Sequence, residues 1–103
     1  MGAPIRIRAR SKDGVTEVLI LMPHPMETGM RADAGGRLVP PHFITDVRVA
    51  LGERLLLEAK LSIAVSTNPL LSFRFRGGSV GDRITATWVD NAGDQRTDEA
   101  FIS

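Results

Sequence analysis

The chain contains no cysteine among its 103 residues. That excludes disulfides, thiolate nucleophiles and Cys-ligated zinc or iron–sulfur centres. Histidine is almost as scarce, so His24 and His42 are the only imidazoles that could act as a base or a metal ligand. There are five aromatic residues, four Phe and one Trp. Single-stranded nucleic acid needs exposed rings to stack on, and strand alternation turns Phe43, Phe73, Phe75 and Trp88 toward a core. No apolar run is long enough to span a bilayer. The N-terminus, 1-MGAPIRIRARS-11, has no apolar core of the kind a secretory signal needs. The chain is therefore expected to lack a signal peptide of its own. Charge of one sign is also missing in excess: 13 Lys and Arg face 12 Asp and Glu, a net +1. This demands neither nucleic acid nor an anionic membrane as partner. Eleven of the 13 cations are Arg, a residue that tolerates interfaces better than Lys.

What is present is a period of two. The length suits one domain spanning 1–103. In 5-IRIRAR-10, Ile5, Ile7 and Ala9 share one face of a strand and three arginines the other. Lys12-Asp13-Gly14 is a hairpin turn. Val15 to Met22 is apolar on both faces apart from Thr16 and Glu17, and reads as a central strand. Further strands are expected at Phe43–Leu51, Arg54–Ala64, Leu70–Arg76, Arg83–Val89 and Gln95–Ile102. The segment 47-VRVALGERLLLEAKLS-62 can pass for a helix, but Val47, Val49 and the breaking Gly52 favour a hairpin. About seven strands at roughly ten-residue spacing predict an all-β, immunoglobulin-like antiparallel β-sandwich. Between Pro23 and Pro41 the chain shows no period, only one short hairpin near 33-DAGG-36. Long ordered loops in small domains are often functional.

The search for chemistry gives little. No serine sits in a G-x-S-x-G elbow. The run 76-RGGSVGD-82 is glycine-rich but leads into a strand, whereas a phosphate cradle leads into a helix N-terminus. The stripes Arg6/Arg8/Arg10 and Arg74/Arg76 are expected to be solvated or paired with Glu17, Glu58, Asp98 or Glu99. The dense stretch 22-MPHPMETGMR-31 offers one alternative: His24, Met26 and His42 as ligands for copper or zinc. Against this, Met22 and Met26 can fill gaps at the sandwich end. By elimination the chain reads as a β-sandwich that binds a partner, through loops and exposed strand edges.

Four pieces in order, 23-PHPMETGMR-31, 68-NPLLSFRFRGG-78, 88-WVDNAGD-94 and 97-TDEAFI-102, with 40-PPHFI-44 between them, resemble the SoxZ family over nearly the whole chain. The resemblance implies an immunoglobulin-like sandwich with no chemistry and no cofactor of its own. It implies a heterodimer with a SoxY-like carrier subunit, whose C-terminal cysteine arm holds covalent sulfur during thiosulfate oxidation. It also implies transient docking of a cytochrome, a hydrolase and a sulfur dehydrogenase. The periplasm would be reached by co-export with a signal-bearing partner, and a homodimer is possible when that partner is missing. On this reading His24, Met26, Glu27, Met30, Arg31, Asn68, Arg74 and Arg76 are the candidate interface residues. Pro23 and Pro25 would stiffen the loop and lower the cost of ordering it.

Overall fold

The computed structural model describes residues 2–103. Seven strands form: β1 (Arg6–Lys12), β2 (Val15–Leu21), β3 (Ile44–Leu51), β4 (Arg54–Lys60), β5 (Leu70–Arg76), β6 (Arg83–Asp90) and β7 (Gln95–Phe101). They make two antiparallel sheets, ordered β1-β2-β5 and β4-β3-β6-β7. This is the immunoglobulin arrangement with the fourth strand moved across: β4 pairs with β3 instead of β5. The helix-like segment is the β3–β4 hairpin, with a register shift at Val49/Ala50. β4 ends at Lys60, four residues earlier than its apolar run suggests. There Leu61 N–H turns to the carbonyl of Thr45, and the Ser62 hydroxyl accepts the N–H of Ala64. A local serine turn outcompetes the ladder.

Alternation dictates the interior. Val18 and Ile20 of β2, Val47 and Val49 of β3, and Ile84, Ala86 and Trp88 of β6 point between the sheets and are buried. Ile5, Ala9, Met22, Met26, Ile44 and Ile102 complete the core. The sandwich is closed along the β1/β7 side. Ser11 and Ala9 exchange backbone hydrogen bonds with Ser103, and Ile5 N–H donates to Asp98. Arg96 also donates to Asp98 and to the carbonyl of Gly2. The Arg96 guanidinium and the Ile5 N–H outweigh burial and hold the Asp98 carboxyl below its usual range.

The opposite side is not closed in this way. Leu71, Phe73 and Phe75 of edge strand β5 point inward, as their alternation predicts, yet are only half-buried. Leu56, Leu57 and Ala59 of edge strand β4 are in the same condition. The inward apolar side chains of these two edge strands form a partly covered apolar seam, and Leu61 and Val65 of the connection between the strands also pack against the core.

The segment between β2 and β3 is more ordered than its sequence suggests. It folds back as a long irregular hairpin, with backbone bridges Glu27↔His42 and Ala32↔Leu38. Its tip is the expected turn, where Asp33 Oδ1 accepts the N–H groups of Gly35 and Arg37.

Candidate functional site

The chemistry-bearing residues meet at the base of this hairpin. Met22 and Pro23 carry the chain from β2 to His24. Its backbone is clamped on both sides by Asn68, whose side-chain oxygen accepts the His24 N–H at 3.0 Å and whose N–H donates to the His24 carbonyl at 3.0 Å. Asn68 holds a left-handed φ of 54° to do so, a conformation asparagine tolerates better than most residues. Thr67 adds a hydrogen bond to the Pro25 carbonyl.

The ring of His24 is buried. Its Nε2 lies 3.0 Å from Asp90 Oδ2, and the half-exposed His42 places its own Nε2 2.8 Å from the same oxygen. The two imidazoles meet edge to face at 4.6 Å, and Trp88 stands edge-on to His24 at 5.1 Å. The other carboxylate oxygen, Asp90 Oδ1, accepts the N–H groups of Ala92 and Asp94, both at 3.0 Å. One carboxylate thus accepts four hydrogen bonds. Burial alone would push its pKa up. The two imidazoles and the two turn amides outweigh burial and hold it below the usual carboxylate range.

The tautomer of His24 follows from its neighbours. Its Nδ1 accepts the N–H of Met26 at 3.1 Å, so Nδ1 bears no proton and Nε2 bears the one donated to Asp90. Both ring nitrogens of His24 are thereby committed.

The three side chains present one donor atom each within 4.8 Å of one another, the spacing of a metal site. The hydrogen bonds argue for a brace instead. A neutral imidazole that ligates through Nε2 carries its proton on Nδ1, where Met26 N–H already points. The third sequence candidate, Met26, is buried, and its sulfur accepts the N–H of Ile44 at 3.3 Å. The sequence pairs the two histidines as candidates but gives no sign of Asp90. An Asx residue opening a turn gives no sign that its second oxygen serves another loop.

The interface candidates separate into two groups. His24 and Met26 lie in the interior, so we correct their assignment as contact residues: they hold the hairpin in place. Asn68, although exposed, does the same. Met30 is 73% exposed, and Arg31 is exposed beside Glu27. The Arg31 guanidinium grips the Glu27 carboxylate with three hydrogen bonds and holds its pKa below the usual range. Thr28 Oγ1 accepts the Met30 N–H, closing the turn beneath it. Arg74 and Arg76 project from the outer face of β5, away from the hairpin base.

These features define an antiparallel β-sandwich whose polar cluster braces a projecting hairpin and leaves one apolar seam unsealed. No curated protein matches the chain in sequence. The chain belongs to the SoxZ family: the model of sulphur oxidation protein SoxZ matches residues 5–100. Membership makes it a sulfur-oxidation subunit. Two solved structures share the fold. One is a superoxide reductase in the oxidized state, with TM-score 0.66 and 15% identity over 96% of this chain and 86% of that one. The other is a variant superoxide reductase (neelaredoxin) from Archaeoglobus fulgidus in the reduced form, with TM-score 0.61 and 22% identity over 97% and 86%. At these identities the likeness speaks for the sandwich alone.

Proposed function

We propose that this chain is the non-catalytic half of a SoxYZ-like sulfur carrier. It binds and supports a SoxY-like subunit whose C-terminal cysteine arm carries the sulfur intermediates of thiosulfate oxidation, and it offers docking surface to the enzymes that act on that arm. The family supports the pathway. The observation that carries the partner role is the seam: inward-pointing Leu71, Phe73 and Phe75 on β5, and Leu56 and Leu57 on β4, remain half-buried between two free strand edges. Burying apolar area stabilises by roughly 25 cal/mol per Å², and a second β-protein laid along these edges would gain that area together with edge hydrogen bonds. The absence of cysteine agrees with a thiol supplied by the partner. Work in the periplasm, reached by co-export, belongs to the same reading.

The test is native mass spectrometry of the chain co-expressed with the SoxY-like protein of the same cell. A one-to-one complex that survives high salt, with the partner's terminal cysteine taking up sulfur from thiosulfate, is expected. A chain that ignores that partner would overturn the reading.

A further inference from the structure

The outer face of the β1-β2-β5 sheet carries an unbalanced charge. Arg6, Arg8, Arg10 and Lys12 stand along β1, and Arg74 and Arg76 along β5, all exposed. Glu17 in the middle and Asp13 at the turn are the acids beside them. Six of the 13 cations and two of the 12 acids therefore lie here, leaving seven cations against ten acids elsewhere. A net charge near zero conceals a polarised molecule.

The two sheets differ in how they treat charge. Across the outer face of β4-β3-β6-β7, Asp46 pairs with Lys60, Arg48 with Glu58 and Arg83 with Glu99. Among the described residues of the β1-β2-β5 face only Arg74 finds an acid, Glu17 at 3.9 Å, and both are well exposed. Among the described residues Arg6, Arg8, Arg10, Lys12 and Arg76 form no ion pair. The expected partners Glu58, Asp98 and Glu99 are engaged by Arg48, Arg96 and Arg83.

The same face has an apolar centre. Register places Leu21 beside Leu70 and Leu19 beside Arg8. Leu19 is 43% exposed and Leu70 65%. They line an open hollow of about 340 Å³ together with Arg6, Ile7, Arg8 and Leu21. Six like charges repel a second copy of this face. No aromatic residue lines the hollow for base stacking.

We propose that this face docks a protein whose contact surface is acidic around a protruding apolar side chain, at a place separate from the β4/β5 seam. Resting on the carrier reading above, this protein is one of those that act on the carrier's sulfur. The cations speed and orient the encounter, and the leucine hollow sets its register.

The test uses the complex of this chain with its carrier subunit, with p-benzoyl-phenylalanine at position 19. It is challenged in turn with each purified protein of the same sulfur-oxidation system, with phosphatidylglycerol vesicles and with single-stranded DNA. An acidic protein is expected to crosslink from position 19. The pair Arg6→Glu and Arg8→Glu should weaken its binding at least about tenfold, as should raising salt from about 50 to 300 mM. A complementary Glu→Arg change on the captured protein should restore binding to the reversed variant. No crosslink to any of these proteins, or a crosslink indifferent to both charge reversal and salt, would overturn the proposal. So would binding only to vesicles or DNA. Retention of the carrier subunit throughout would show that such a failure leaves the carrier reading standing.

Discussion

Asp90 connects three segments that sequence separates widely. Its carboxylate closes the β6–β7 turn with one oxygen and ties both histidines of the projecting hairpin with the other. Asp90→Asn cannot reproduce this, because an amide offers one acceptor oxygen where two are needed. Whichever way the amide turns, two donors face an NH₂ group. Each buried polar group left unsatisfied costs roughly 1–3 kcal/mol, so thermal unfolding should fall by about 10 °C or more. The pH dependence has a definite sign. The folded pKa lies below the unfolded value of about 3.9, so the carboxylate's contribution is fully present above about pH 4. It is lost as pH falls through the folded pKa. The gap in urea midpoint between the native chain and Asp90→Asn should therefore be widest near neutral pH and narrow below about pH 4. Met26 belongs to the same cluster. Met26→Ala should cost about 2–4 kcal/mol in stability, and carrier affinity measured on the folded fraction should be unchanged.

At the scale of elements, the strands were legible and the loops were not. Period-two alternation in IRIRAR, LLSFRFR and RITATWV is local, so each strand and its inward face could be read from its own residues. The turns at Asp13-Gly14 and near Asp33 were legible for the same reason, since a left-handed φ or an Asx cap is a short-range demand. What escaped was contact between segments. The hairpin arms from Glu27 to His42 have no alternation because their bridges are isolated, and the base is held from distant turns, by Asn68 through the His24 backbone and by Asp90 through the His42 side chain. The glycine-rich connection between β5 and β6 shows the same division. Sequence identifies it as a turn, but only packing distinguishes its glycines. Gly78 (φ 80°) sits where an added Cβ would lie 2.6 Å from Thr16 Oγ1 and 3.0 Å from Ile102 Cδ1, while Gly81 (φ 93°) has open space. Thr16 is itself fixed by a 2.7 Å hydrogen bond to the Gly77 carbonyl. Gly81→Ala should cost about 1–2 kcal/mol from backbone strain alone. Gly78→Ala adds a clash against the core and should cost more than twice as much. Urea denaturation of the two variants side by side measures the difference.

For the whole molecule, the question is what covers the seam. The protein is elongated, 54 × 20 × 20 Å, so its interior is thin and every inward side chain lies close to an edge. Along β1/β7 the edge is tied off by the C-terminal residues and by Arg96 and Asp98. Along β4/β5 it is left apolar. An unsealed apolar edge gains free energy from any matching surface, and the most abundant one in a solution of the isolated chain is another copy. Sedimentation equilibrium of the isolated chain should therefore show a concentration-dependent monomer–dimer equilibrium, which the carrier subunit abolishes by taking the same edge. Leu55 is the residue with which to test it. It lies on β4, is 53% exposed and is absent from the buried core. Leu55→Glu should alter stability by less than about 1 kcal/mol, as surface substitutions do. It should nevertheless shift the isolated chain to monomer and weaken carrier binding by about tenfold, because it adds a charge to the edge strand that the partner would lie along. If the variant pairs with the carrier as tightly as the native chain, the carrier is held elsewhere, and the exposed Met30 and Arg31 at the hairpin become the residues to change next.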